Sequence, residues 1–246
     1  MLIIFDVDGT LVGGEPHDWA SFDQALGETL GFRHDPGFFA ELIDVTAESI
    51  CAAAAGSCGV AACPDMTGRI RDRYLALLKE SRVRHCDAFP ARPGAKQLLM
   101  ELADMPGFTV AIATGDWLPT ISFKLGCAGL DVSRFALATA SDVKRRAEII
   151  RLAAERAGQG LDNAVYVGDG VWDLRACAEL GIPFIGTGAR VQRLLEHGAK
   201  YVCPELGREA FLKALARIAH DKHTASCGEG AACTPDIVLT PKSGMR

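Results

Sequence analysis

Two aspartates lie one residue apart, directly after a short apolar run near the start of the chain. The run Leu2–Phe5 predicts a buried strand, and Asp6 and Asp8 follow it in a segment that ends with a Gly-Thr pair at Thr10. Two carboxylates at the end of a buried strand are costly unless positive charge compensates them. The natural compensator is a hard divalent cation, most often Mg²⁺, which prefers carboxylate and carbonyl oxygens as ligands. The alternative interpretation is an ordinary solvated turn.

A second pair of acids follows another apolar run far downstream. The run Ala164–Gly168 again predicts a buried strand, and Asp169 and Asp173 come after it, before a helix that Gly181 closes. Asp169 is therefore expected at a strand end and Asp173 in the following loop or the first helical turn. An acid in a first turn also suits the helix dipole, so a capping role is the alternative for Asp173. Two strand ends that each carry paired acids are a stronger sign of a site than either pair alone.

Two further polar positions lie between these pairs. Thr114 and Gly115 follow a strand-like run, and Lys144 stands near a predicted helix start. A cation at a helix N-terminus opposes the helix dipole, so Lys144 calls for an anionic partner, either a carboxylate or a phosphate. Arg145 and Arg146 compete with Lys144 for this role. Taken singly, the threonine could be a turn residue and the lysine a solvated side chain.

The order of these segments resembles the four motifs of the haloacid dehalogenase superfamily. The first family motif, Asp-x-Asp-Gly-Thr, matches residues 6–10, and the fourth, Gly-Asp-x-x-x-Asp, matches residues 168–173. The second motif, a Thr or Ser after a strand, matches Thr114, and the third, a Lys at or near a helix start, matches Lys144. The resemblance extends to about residue 205 and is to phosphoglycolate-phosphatase-like members that carry a C1-type helical cap.

The resemblance implies catalytic roles for both acids of the first motif. Asp6 would attack phosphorus and form an aspartyl-phosphate, while Asp8 would protonate the leaving-group oxygen and then activate the hydrolytic water. The resemblance also implies Mg²⁺, held by the Asp6 and Asp169 carboxylates and the backbone carbonyl of Asp8. Spacing alone would not tell the nucleophile from the acid.

Phosphate-binding and supporting residues are implied as well. Thr114, Gly115 and Lys144 would hold the oxygens of the transferring phosphoryl group. Thr10 and Asp173 would support the site. For Asp173, this would mean completing the metal shell through water or orienting Lys144.

The function expected from the resemblance is a Mg²⁺-dependent phosphatase for a small phosphorylated metabolite, with phosphoglycolate as the first candidate. An acid at Asp8 favours phosphoryl transfer over dehalogenation, because family members that attack carbon lack it. Two alternatives stay open: a sugar phosphomutase or phosphotransferase on the same core, and a non-catalytic binding protein. A dinucleotide-binding domain is disfavoured, because no Gly-x-Gly-x-x-Gly follows the first strand.

The periodicity of the chain predicts two structural regions. After residue 91, helices and strands alternate, which indicates a parallel sheet with helices on both faces and a ligand site at the carboxyl ends of its strands. Between residues 10 and 91 the pattern is helical instead. The predicted strands after residue 91 are 109–114, 135–138, 164–168 and 183–185, and the predicted helices before it are 19–30, 36–50 and 67–81, with an Ala-, Gly- and Cys-rich turn at 52–64.

The fold prediction is therefore an α/β protein with a Rossmann-like core and an inserted α-helical cap. The core domain is expected to comprise residues 1–13 and 91–220, and the cap residues 14–90. Residues 221–246 are small, polar and aperiodic, and they predict a flexible tail.

Composition narrows the possible partners and location. The chain has 246 residues, 49% of them hydrophobic, which is enough for a substantial core. Its net charge of −5 disfavours nucleic acid as a partner. No apolar run approaches the ~20 residues that span a bilayer, and no signal peptide is evident, so the expected location is cytoplasmic. The oligomeric state is left open.

The nine cysteines are expected to be reduced and mostly buried. They contain no Cys-x-x-Cys pair and have no histidine at zinc spacing. A metal site built from Cys51, Cys58 and Cys63 is therefore disfavoured.

Overall fold

Six parallel strands form a single sheet, with the first strand of the chain near its centre. The computed structural model describes residues 1–34, 38 and 42–226. The strand order is β3-β2-β1-β4-β5-β6. The strands are β1 (Leu2–Phe5), β2 (Thr109–Ala113), β3 (Ala136–Ala138), β4 (Ala164–Gly168), β5 (Phe184–Gly186) and β6 (Tyr201–Val202). The predicted α/β fold with a Rossmann-like sheet is confirmed, although β6 was not among the predicted strands.

The register of the central strands brings the sequence motifs to one edge of the sheet. Phe5 of β1 pairs with Ile112 of β2 and with Val167 of β4. The residue after β1, Asp6, is therefore level with the last residues of its two neighbours. All of β1 and β4 is buried, as expected for strands covered on both faces. The carboxyl ends of these strands are consequently a rigid and buried base for side chains.

Helices pack around the sheet. Six follow the first ninety residues in the part of the chain that the structure describes: α4 (Ala95–Asp104), α5 (Leu118–Cys127), α6 (Arg146–Arg156), α7 (Val171–Leu180), α8 (Val191–Glu196) and α9 (Arg208–Ser226). Helix α6 contacts β1, β2 and β3, while α7 contacts β4 and β5. The long helix α9 packs on β6, and its Phe211 stacks on Phe5 of the central strand with ring centroids 5.9 Å apart.

Between β1 and α4, the described residues contain three complete helices, within a segment that we call the helical insertion (residues 14–90). They are α1 (Glu15–Leu30), α2 (Ala47–Ser57) and α3 (Pro64–Arg84), and α1 packs closely on α3. Helix α2 overlaps the end of the predicted helix at 36–50, where residues 47–50 are helical, and residue 38 is helical as well. Residues 42–46 are not helical, and residues 35–37 and 39–41 lie outside the described residues.

The start of α2 is determined by a capping box. The Thr46 side chain accepts a hydrogen bond from the Ser49 backbone N–H, and the Ser49 hydroxyl accepts one from the Thr46 N–H. The helix then continues through residues 52–57, which were predicted as a turn. This prediction was wrong because the alanines there are the strongest helix formers.

The end of the chain also differs from the prediction. Helix α9 runs to Ser226, so residues 221–226 are helical rather than part of a tail. The remainder of the predicted tail, with Cys227 and Cys233, lies outside the described residues. In the described part of the chain no helix is long and apolar enough to cross a membrane.

The seven cysteines in the described ranges have free thiols. Cys51, Cys177 and Cys203 are buried, and the other four are partly or fully exposed. The expectation of mostly buried thiols therefore holds for only three of them.

A glycine substitution tests how the start of α4 packs on the loop before α9. Gly94 precedes α4 with φ of 78°, and a Cβ there would collide with the Leu206 carbonyl. Gly94→Ala should therefore lower the free energy of unfolding by roughly 1–3 kcal/mol, measured by urea denaturation. The control is Gly56→Ala in α2, which has open space around it and should stabilise the protein by about 0.5–1 kcal/mol. Equal effects of the two substitutions would contradict this account.

Candidate active site

A cleft lies at the carboxyl edge of the sheet, between the core strands and the helical insertion. Asp6 follows β1, Thr114 follows β2, and Asp169 follows β4, and all three are buried at its base. The side facing them comes from the insertion. The cleft is lined by Asp6, Asp8, Thr114, Gly115, Asp116, Arg146, Asp169, Trp172 and Arg190 on the core side and by Glu15, Asp18, Trp19, Phe22, Thr46, Ile50 and Tyr74 on the insertion side.

Three buried carboxylates converge at the base of the cleft. Asp6, Asp169 and Asp173 each offer an oxygen, and these oxygens lie within 4.8 Å of one another. Gly9, with φ of 77°, makes this possible, because the Asp169 carboxylate fills the space that a Cβ at that position would occupy. Burial raises the pKa of Asp169 to about 6, and burial together with Asp173 raises the pKa of Asp6. The cluster therefore favours the approach of positive charge.

Arg146 places a guanidinium inside this cluster. Its Nη1 lies 2.8 Å from Asp173 Oδ1 and 3.3 Å from Asp6 Oδ1. Its Nη2 donates a hydrogen bond of 2.7 Å to the Val45 carbonyl of the insertion. The side chain is buried and its Nε has no hydrogen-bond partner among the described residues. Arg146 thus contacts Asp6 of the first motif, Asp173 of the fourth motif and the backbone of the insertion.

Lys144, the cation expected from the third motif, is exposed and does not line the cleft. The cause is local. Asp142 accepts hydrogen bonds from the backbone N–H and the hydroxyl of Thr139, which forms a turn where a helix was predicted to begin. Helix α6 consequently starts at Arg146 instead of at residue 143. The geometry therefore favours Arg146, one of the two competing arginines, over Lys144.

The remaining predicted residues have mixed environments. Thr114 and Gly115 line the cleft, but the Gly115 carbonyl accepts a 2.7 Å hydrogen bond from Ala47 of the insertion. Thr10 is buried, and its hydroxyl has no hydrogen-bond partner in the described ranges. Asp173 accepts a 3.0 Å bond from the Gly170 N–H, so it caps α7 while it also pairs with the site arginine.

Asp8 lies in a different environment, beside a lysine that the sequence reasoning missed. The Lys124 ammonium on α5 lies 2.6 Å from Asp8 Oδ1, and also contacts Asp18 and Asp116. Burial raises the pKa of Asp8 to about 8, although Lys124 opposes the change. Burial alone would lower the pKa of Lys124, but Asp116, Asp18 and Asp8 raise it, so the lysine is charged. No motif pointed to a lysine in the middle of this amphipathic helix.

Arg190 is a second residue of the site that the sequence reasoning missed. Arg190 follows β5 and donates a 2.8 Å hydrogen bond from Nη2 to Asp169 Oδ2. Its guanidinium lies 5.7 Å from the centre of the Trp172 ring. A lone arginine in a loop gives no sequence signal, because only the pairing of β5 with β4 brings it to Asp169.

The sequence profile of the haloacid dehalogenase-like hydrolases matches residues 1–181 of the chain. No curated protein sequence matches it significantly.

Solved structures share the fold over most of its length. A hydrolase from Pseudomonas syringae is 21% identical, with a TM-score of 0.71 over 88% of this chain and 98% of that one. A β-phosphoglucomutase from Clostridium difficile is 16% identical, with a TM-score of 0.70 over 89% and 98%. CbbY from Rhodobacter sphaeroides, in complex with phosphate, is 25% identical, with a TM-score of 0.65 over 84% and 95%.

A stability measurement distinguishes the two candidate cations. Arg146→Met removes the positive charge between Asp6 and Asp173, so we expect the free energy of unfolding to fall by about 3–5 kcal/mol in urea denaturation at neutral pH. Lys144→Met, an equal change at an exposed position, should stay within about 0.5 kcal/mol of the parent protein.

The pH dependence of the unfolding free energy of Arg146→Met tests whether its loss of stability is electrostatic. Burial already raises the pKa values of Asp6 and Asp173 in the folded protein. Arg146 opposes these shifts, so its removal should raise both pKa values further. Above the ordinary carboxyl pKa near 3.8, the folded variant holds protons that the unfolded chain has released. Its stability should therefore decrease relative to the parent as the pH rises from about 4. A loss that is the same at pH 4 and pH 7 would contradict the electrostatic account.

Proposed function

This chain belongs to the haloacid dehalogenase-like hydrolase family, and on that premise we propose that it is a Mg²⁺-dependent phosphatase. It hydrolyses the phosphomonoester of a small metabolite through an aspartyl-phosphate at Asp6, and phosphoglycolate is the first substrate to try. The observation that carries the proposal is the separation of Asp6 from Asp8. One lies in the carboxylate cluster with Arg146, and the other lies beside Lys124.

The donor set at the base of the cleft fits a hard divalent cation. Three buried carboxylate oxygens lie close together, and burial raises the pKa values of Asp6, Asp169 and Asp173, as expected for a site that binds positive charge. Asp6 and Asp169 would hold Mg²⁺ together with the backbone carbonyl of Asp8. When bound, the ion screens the carboxylates and neutralises charge on a phosphate oxygen.

Asp6 is suited to nucleophilic attack, because its buried position after a rigid strand fixes its direction. Its carboxylate oxygen forms a bond to phosphorus, and the ester oxygen of the metabolite leaves. Arg146, in place of Lys144, would hold phosphoryl oxygens together with Thr114 and the backbone at Gly115.

Asp8 is suited to proton transfer in both steps. Burial raises the pKa of its carboxyl group to about 8, which favours the protonated form, so the group is suited to donate a proton to the departing ester oxygen. The resulting carboxylate then takes a proton from water as the water attacks the aspartyl-phosphate, which releases inorganic phosphate. Asp6 is regenerated as a carboxylate, and Asp8 is protonated again.

Contacts between the helical insertion and the core support the proposal that the insertion is a cap over the cleft. Its Thr46 hydroxyl donates a 2.9 Å hydrogen bond to the Lys144 carbonyl, and the Trp117 indole of the core donates a 2.8 Å bond to Glu48. These contacts attach α2 of the insertion to the core, beside the cleft that Thr46 lines. We assign residues 14–90 to a cap domain that excludes water and selects the metabolite.

The first prediction from this proposal concerns the cation and the reaction type. A panel of phosphorylated metabolites should release inorganic phosphate with Mg²⁺ and none after exhaustive chelation, with activity restored when Mg²⁺ returns. Phosphate release is measured directly, and isomerised sugar phosphates are sought in parallel. Full turnover after chelation, or formation of an isomer without phosphate, would overturn the proposal.

The second prediction concerns the two acids. Asp6→Asn should abolish turnover with the fold intact, because the amide cannot attack phosphorus. Asp8→Ala should reduce kcat by ~10²–10⁴-fold, the usual contribution of general acid–base catalysis. Asp131→Asn, at an exposed aspartate outside the cleft, is the matched control and should leave kcat unchanged. Near-normal turnover by Asp6→Asn would exclude the covalent route.

A further inference from the structure

Lys124 joins Asp8 to the helical insertion and has no role in the steps above. It extends from α5 of the core and is buried, with 1% of its side chain exposed. Its Nζ lies 2.6 Å from Asp8 Oδ1, 2.8 Å from Asp18 Oδ1 and 2.9 Å from Asp116 Oδ2. An ammonium group has three N–H donors. The Lys124 ammonium lies within 2.9 Å of an oxygen from each of these carboxylates and donates hydrogen bonds to Asp18 and to the Tyr74 hydroxyl, so groups of this chain already surround it.

We propose that Lys124 is a positioning residue, which holds Asp8 in its proton-transfer orientation only while the insertion is closed on the core. The inference rests on the proposed function, because it concerns the role of Asp8 there. Two of the groups around the ammonium come from the insertion: Asp18 on α1 and Tyr74 on α3, whose hydroxyl lies 3.3 Å from Nζ. Withdrawal of the insertion removes both.

The core side of this cluster is rigid. Asp116 Oδ1 accepts hydrogen bonds of 2.7 Å from the Trp117 N–H and from the Thr120 hydroxyl, which fixes its carboxylate at the start of α5. Its other oxygen contacts Lys124. Asp116 therefore holds the lysine from one side, and Asp18 holds it from the other. The Tyr74 hydroxyl in turn donates a hydrogen bond to Asp18, so α1 and α3 both fix the insertion side.

The contact with Lys124 also gives the two carboxylate oxygens of Asp8 different surroundings. Oδ1 is bound by the ammonium, which makes Oδ2 the oxygen that carries the proton to the leaving group. The Asp8 side chain is 30% exposed and lines the cleft, so it can reach a substrate. Lys124 keeps its own protons throughout. Without it, the carboxyl group can rotate, and the donor is no longer aimed at the ester oxygen.

The test uses substrates whose leaving groups need protonation to different degrees. 4-Nitrophenyl phosphate releases a stable phenolate without an acid, whereas an alkyl phosphate such as phosphoglycolate requires a proton on the departing oxygen. In Lys124→Met, the first-turnover rate should fall about 100-fold with the alkyl phosphate and less than 5-fold with the aryl phosphate, in line with the loss of general acid catalysis. Because hydrolysis of the aspartyl-phosphate also needs Asp8, the aryl substrate should show a burst of one equivalent of nitrophenol.

Two further variants keep the test decisive if Lys124→Met does not fold. Asp18→Asn removes the charge on the insertion side and should produce the same pattern at smaller amplitude, about 5- to 10-fold on the alkyl phosphate. Glu28→Gln is its matched control on the same helix. Glu28 pairs with Arg73 of α3 and should leave both rates unchanged when altered.

A double variant separates this inference from the proposed function. In an Asp8→Ala background, Lys124→Met or Asp18→Asn should cause no further loss, because each acts through Asp8. Equal losses on the two substrates for Lys124→Met and Asp18→Asn, or additive losses in the double variants, would overturn the inference while the function stands. If Asp8→Ala itself affects the two substrates equally, the proposed acid is wrong, and both proposals fail.

Discussion

The crowding of negative charge at one buried edge of the sheet is the constraint on which the other features depend. Asp6, Asp8, Asp169 and Asp173 meet there because the register of β1 with β4 requires it. Carboxylates in such a place are stable only with cations beside them or with protons bound. The buried guanidinium of Arg146 and the buried ammonium of Lys124 meet part of this requirement.

Two buried cations divide the acids into groups with different chemistry. Arg146 lies 3.3 Å from Asp6, while Lys124 lies 2.6 Å from Asp8. Both cations extend from core helices, and both also contact the insertion. Arg146 donates to the Val45 carbonyl, and Lys124 contacts Asp18, so the insertion completes the surroundings of both. A movement of the insertion therefore changes the electrostatics of both groups together.

The sheet and the motif positions could be predicted from the sequence because both are local. An apolar run followed by an acid indicates a strand end, and parallel pairing then brings separate strand ends to one edge. Lys144 lies before the first turn of α6 because a side-chain turn at Asp142 delays the start of that helix, which periodicity does not reveal. Lys124 and Arg190 could not be predicted, because tertiary packing alone brings them to their acids.

The stacking of Phe211 on Phe5 has a consequence for how much chain this site requires. The family profile ends at residue 181, yet Phe211 lies on α9 and covers the residue immediately before Asp6. The strands β5 and β6 also come after residue 181, and the loop after β5 carries Arg190. A fragment cut where the profile stops would expose the centre of the sheet to water beneath the nucleophile. The smallest unit able to hold Asp6 in place therefore extends into α9, at least to Phe211, which lies 30 residues past the end of the family profile.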